Sequence, residues 1–169
     1  FLIPYNLLMY GVNDVFDYES DLRNPRKGGI EGALLHPKWH RPTLFWSVAL
    51  TLPFVVFLLF QGDAAAKAWL LLFVFTVIAY SAKGLRFKEK PFLDSLTSAS
   101  HFVGPMIYGL ALAGASLTDT APLLLIIGFT LWGIASHAFG AVQDVKADRE
   151  AEISSIATVI GARATTRFA

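Results

Sequence analysis

The stretch TLFWSVALTLPFVVFLLF, Thr43 to Phe60, contains no charged residue. A helix rising about 1.5 Å per residue needs about 20 predominantly apolar residues to cross the hydrocarbon of a bilayer. This stretch therefore reads as a transmembrane α-helix, with Pro53 tolerated as a kink. After a QGD turn at Gln61 to Asp63, a second span runs from Ala64 to Ala82, with one charge, Lys67, near enough to its end to snorkel. A third, Leu96 to Ala115, carries His101 and many small residues suited to close helix packing in lipid. The fourth, Pro122 to Val142, contains His137 and runs directly into an acidic cluster. Before the first full span, Phe1 to Val12 reads as the end of a truncated one. The expected fold is an all-α, polytopic transmembrane helical bundle of about four full spans plus the truncated first. It forms a single domain over residues 1–169, incomplete at both ends.

Composition agrees. The chain is 54% hydrophobic and 16% charged, against about 25% charged residues in a soluble domain. Cys is absent, which excludes a disulfide framework, a thiolate nucleophile and Cys-ligated metal. A net charge of +1 gives no ground for a nucleic-acid partner. Every Lys and Arg except Lys67 falls on the side of the membrane that holds residues 13–41, 83–94 and those after Val142. Cytoplasmic loops carry the Lys/Arg excess, so that side is expected to be cytoplasmic. The polar stretch Asp21 to Arg41 reads as a loop with a short helical piece around Ile30 to Leu35.

Two acid-rich segments meet on this cytoplasmic side: NDVFDYESD, Asn13 to Asp21, and DVKADREAE, Asp144 to Glu152. Asn13, Asp17 and Asp21 recur every four residues, with Asp14 three before Asp17; a helix stacks them along one stripe. Like charges so placed repel unless a cation lies between them. Asp144, Asp148 and Glu152 repeat the device. Carboxylates and an amide carbonyl are hard oxygen ligands suited to Mg²⁺, which is usually held by a few carboxylates together with substrate phosphate oxygens. Taken alone, one DxxxD at a membrane surface is more often a solvated helix end. Two of them, each at the cytoplasmic end of an apolar span, point to a cradle for a phosphorylated substrate.

The basic loop Lys83 to Lys90 would neutralise a leaving diphosphate. Lys83 and Arg86, nearest the membrane, are the favoured pair, and Arg23, Arg26 and Lys27 are weaker candidates, though any of these cations also satisfies the cytoplasmic charge bias. His101 and His137 read as structural hydrogen-bonding groups inside the bundle. The aromatics read first as packing, with Tyr108 and Phe139 the ones to inspect for a role towards an isoprenoid. Two other functions fit less well. A CDP-alcohol phosphotransferase needs an Arg in register with its acids, which is missing here. A cation transporter would place its acids near the bilayer midplane rather than at helix ends.

With these residues on the page, the chain resembles the UbiA superfamily of intramembrane prenyltransferases. Asn13, Asp14, Asp17 and Asp21, followed by Asn24-Pro25, match the first motif. YSAKGLRFKEKPFLDS resembles the middle loop, and DVKADREAEISSIATVIGA the second motif. The stretch SHAFGAVQDVKADREAEISSIATVIGA is similar to lycopene elongase-like members. One departure stands out: the family's usual Asp three residues before the second DxxxD pair is here Ala141, with Glu152 a substitute ligand in principle. The resemblance implies Mg²⁺ held by Asn13, Asp14, Asp17 and Asp21 and by Asp144 and Asp148. It also implies a prenyl diphosphate donor, dimethylallyl diphosphate in the elongase-like case, bound with help from Lys83, Arg86 and Arg23. A lipophilic acceptor, a carotenoid such as lycopene or an aromatic ring, would be alkylated inside the lipid bilayer.

Overall fold

Helices α1 (Leu2–Phe16) and α3 (His40–Leu59) pack together, α1 also touches α4 (Ala64–Ser81), and α4 leans on α5 (Leu93–Leu112), which in turn packs along α6 (Thr120–Glu150). Short helices complete the chain: α2 (Tyr18–Asp21) after the first acidic residues, then α7 (Ile156–Ile160) and α8 (Ala162–Phe168), both packed against α6. The computed structural model describes residues 1–29, 32, 34–150 and 152–169, and among them no β-strand occurs. Of the short helical piece expected around Ile30 to Leu35, residues 30, 31 and 33 lie outside the described residues, and Gly32, Leu34 and Leu35 are not helical.

The elements begin and end where local chemistry requires. Asp63 caps α4, its Oδ1 accepting from the Ala66 N–H at 2.8 Å. Ser155 caps α7 through a reciprocal box with Thr158. Pro53 and Pro105 lie inside α3 and α5 without ending either helix. The four expected spans coincide with α3 to α6 within a few residues, apart from the extension of α6 beyond Val142.

Among the described residues, three helices are long and apolar enough to cross a membrane: α4, α6, and α3 with the turn before it (Pro37–Leu59). Helix α5 has 20 residues but is less apolar. Its polar side chains, Asp94, Ser95, Thr97 and His101, are buried against its neighbours rather than offered to lipid. The lipid-facing surfaces are instead large and apolar, with Phe45, Trp46 and Phe57 exposed on α3 and Leu124, Leu131 and Trp132 on α6.

Close packing around α5 depends on two glycines. A Cβ at Gly104 would lie 2.3 Å from the Phe73 Cβ of α4, and one at Gly133 of α6 would lie 2.8 Å from the Ala99 Cβ of α5. Bare backbone at these crossings lets the helices approach closely, which is how helices associate in lipid, where hydrophobic burial supplies little drive.

Helix α6 is the long member. Its 31 residues make a rod of about 46 Å at about 1.5 Å per residue, longer than the hydrocarbon layer of about 30 Å. The last turns, with Asp144 and Asp148, therefore project beyond the apolar zone on the same helix that crosses it.

Candidate active site

The backbone almost preserves the predicted helical stripe of the first motif. Helix α1 stops at Phe16, yet the Asp17 N–H still donates to Asn13 O at 2.9 Å and the Asp21 N–H to Asp17 O at 2.8 Å. Asn13, Asp17 and Asp21 consequently share one face across the α1–α2 joint. Asp144 and Asp148, one turn apart on α6, lie across from them. All five line one polar cavity of about 390 Å³, together with Asn24, Lys27, Lys88, Tyr80, His137 and Ser155 among others.

Cations and hydroxyls hold the acids. Lys88 forms an ion pair with Asp17, Lys27 with Asp21 at 3.3 Å, and Arg26 with Asp144 at 3.1 Å. Asn24 Nδ2 also donates to Asp144 at 3.4 Å, and Ser155 Oγ to Asp148 at 3.1 Å. Asn13 Nδ2 donates to Ser81 Oγ at 3.2 Å, so the nitrogen end of the amide is occupied and its oxygen is the acceptor end. Asp17 is 5% exposed. Burial pushes its carboxyl up, against the lowering pull of the Lys88 ammonium.

The donor set fits a hard divalent cation in one specific sense. Among the described residues, no three acidic or histidine side chains converge closely enough to hold a metal by themselves. The acids form two groups on opposite walls, and such an arrangement suits Mg²⁺ shared between a few carboxylates and substrate phosphate oxygens.

A profile of the UbiA prenyltransferase family matches residues 1–169. The chain belongs to this family. The C(50) beta-cyclic carotenoids biosynthesis protein LbtBC of Dietzia sp. (strain CQ4) is 62% identical over 169 residues, covering 100% of this chain and 39% of that protein. A lycopene elongase/hydratase of Corynebacterium glutamicum is 58% identical over 173 residues, covering 99% of this chain and 58% of its own. The lycopene elongase/hydratase of Haloarcula japonica is 38% identical over 162 residues, covering 95% of this chain and 52% of its own. The chain thus spans between 39% and 58% of the length of these three relatives. No solved structure matches it.

Of the residues singled out from the UbiA motifs, Asn13, Asp17, Asp21, Asp144 and Asp148 are brought together, and Asp14, although half-buried on α1, does not line the cavity. Neither do the favoured basic residues Lys83 and Arg86, nor Arg23; Lys83 and Arg23 are exposed. Arg86 instead donates to Phe16 O at 3.2 Å and pairs with Glu89. The hydrogen bond to Glu89 raises its pKa further. The reason is a turn. Gly84 at φ 93° and Arg86 at φ 40° reverse the chain, so that Lys83 points away and Lys88, inside the short 3-10 helix Phe87–Glu89, returns over Asp17.

Glu152, at φ 57° beyond the end of α6, does not line the cavity. The position of the family's usual third acid, Ala141, lines the cavity, is 8% exposed and packs with Ala138, Ile156 and Ala157. Tyr80, His137 and Ser155 were legible only as ordinary core or cap residues. A Tyr or His within an apolar span was the available signal, and only the fold shows which of them reach the cavity.

Proposed function

We propose that the full-length protein is a Mg²⁺-dependent intramembrane prenyltransferase that moves an allylic group from its diphosphate to the end of a carotenoid such as lycopene. The observation that carries this reading is the single cavity in which both acidic motifs face each other with Lys27 and Lys88 inside it. Asn13, Asp17 and Asp21 would hold one metal ion and Asp144 and Asp148 another. Bound Mg²⁺ would offset the diphosphate charge and ease departure of the leaving group. Lys27 and Lys88 are placed to bind the same negative charge directly.

A second, smaller cavity of about 180 Å³ shares Asn13 and Tyr80 with the first and continues past Met9, Tyr10, His101 and Phe102. Diphosphate at the polar end and an isoprenoid chain towards the apolar side match the amphiphilic shape of the donor, with dimethylallyl diphosphate the smallest such molecule. The polar cavity would open to the cytoplasm, where the Lys/Arg excess lies. The relatives, a lycopene elongase/hydratase and a C(50) beta-cyclic carotenoids biosynthesis protein, favour a carotenoid over an aromatic acceptor.

The test is expression of the full-length protein in a lycopene-producing host, with product masses read by mass spectrometry. Added C5 units on lycopene support the reading. Alkylation only of an added aromatic acceptor would replace it with the aromatic reading, and no Mg²⁺-dependent diphosphate release from any allylic donor would remove it.

A further inference from the structure

The wall between the two cavities holds a chain of hydrogen bonds that diphosphate binding does not use. Asp94, at the start of α5 and 0% exposed, accepts through Oδ1 from the Ser95 N–H at 2.7 Å and from Ser95 Oγ at 3.3 Å. Ser95 Oγ also lies 3.1 Å from His137 Nδ1, and His137 Nε2 lies 3.1 Å from the Tyr80 hydroxyl. An ionised carboxylate can only accept, and this settles the direction of every bond in the chain. Ser95 donates to Asp94, leaving its oxygen to accept from His137 Nδ1–H. His137 Nε2 then bears the lone pair and accepts from the Tyr80 O–H. The phenolic oxygen keeps its lone pairs, on a residue that lines both cavities.

A carboxylate that orients an imidazole through a hydroxyl, with the imidazole in turn basifying a second hydroxyl, is the arrangement of a general base. Prenyl transfer to an alkene needs one. The C–O bond of the allylic diphosphate breaks and diphosphate leaves with the electron pair. The acceptor double bond then supplies two electrons to the new C–C bond, leaving a tertiary cation on the acceptor. Neutral product forms when that cation loses a proton from an adjacent carbon, or when water adds and then loses a proton.

We propose that Tyr80 and His137 accept this proton: it passes to the Tyr80 oxygen while the phenolic proton moves to His137 Nε2. The imidazolium so formed is stabilised through Ser95 by Asp94. Tyr80 and His137 are then catalytic residues, and Ser95 and Asp94 are positioning residues. The assignment rests on the prenyl-transfer reading and adds to it the group that ends the reaction.

The discriminating measurement is the ratio of carotenoid product to diphosphate released, made on the full-length protein in membranes with lycopene and dimethylallyl diphosphate. Donor ionisation does not need the base, so Tyr80→Phe and His137→Gln should still release diphosphate. They should lower the ratio by about 10²-fold, as the allylic cation not drawn on to carotenoid product is captured by water, which then loses a proton. Asp94→Asn keeps an acceptor for the Ile156 N–H and should lower the ratio less, by about 10-fold.

An unchanged ratio in folded Tyr80→Phe and His137→Gln would overturn the relay. So would equal loss of diphosphate release and product, because that would assign both residues to donor binding. Should Tyr80→Phe not accumulate in membranes, His137→Gln and Asp94→Asn decide by the same ratio. Absence of any carotenoid product from the unaltered protein would instead count against the prenyl-transfer reading beneath it.

Discussion

The two acidic motifs face one cavity but are built in opposite ways. The first lies across a joint, where α1 ends at Phe16 and α2 begins at Tyr18, and its buried Asp17 and half-buried Asp21 are each paired with a Lys that lines the cavity. The second lies on the unbroken rod of α6, where Asp144 is paired with a half-exposed Arg26 and Asp148 is tied to the hydroxyl of Ser155. The first motif concentrates charge at a place where the backbone can adjust. The second gives up a carboxylate at Ala141 and uses the position to seat Ile156 and Ala157. The difference teaches that the two halves of such a cradle need not be equivalent. One half supplies field and affinity, and the other supplies a rigid wall and folds the following segment back over the bundle.

Substitutions should expose that asymmetry. The largest effect is expected for Asp17→Asn, about a 10³-fold loss of Mg²⁺-dependent diphosphate release, because it removes the buried carboxylate at the centre of the first motif. Asp144→Asn should cost several-fold less, and equal losses would break the comparison. Lys88→Met should lower kcat/KM for the prenyl diphosphate by about 10²-fold, while Lys83→Ala stays within about twofold; steady-state kinetics with varied donor checks both. Ala141→Asp, which restores the usual acid, should destabilise the protein by about 1–3 kcal/mol without added Mg²⁺, by setting a further carboxylate beside Asp144 at the edge of the Ile156 contact. A thermal melt in detergent reads this, and a gain in both stability and Mg²⁺ affinity would show that the position is a latent ligand site. The smallest effect belongs to Arg26→Ala, below about 1 kcal/mol in stability, because the Arg26 and Asp144 side chains are 32% and 37% exposed.

Much of this was readable from the residues alone. Uninterrupted apolar runs such as Thr43 to Phe60 announce membrane helices because the bilayer allows few alternatives. A four-residue recurrence of Asn13, Asp17 and Asp21 places them on one face whatever the rest of the chain does. What could not be read depends on non-local geometry. Choosing Lys88 over Lys83 required knowing that Gly84 and Arg86 take up positive φ, and Arg86 is not a residue type that signals it. The Tyr80–His137–Ser95 bonds join residues on α4, α6 and α5, and no spacing rule relates them. Polar residues in α5 lowered its apolar character, yet they mark it as the helix surrounded by others.

The bond from the Ile156 N–H to Asp94 Oδ2, 2.7 Å across 62 positions of sequence, also bears on the order of assembly. While the chain is being made, α5 enters the membrane with a carboxylate whose outer oxygen has no backbone donor until residue 156 has emerged and α7 has capped itself. A buried polar group left short of a donor is expensive, so the packing at the start of α5 depends on α7. The buried start of α5 is therefore satisfied only once α7 has docked, and Asp94 ties the two together.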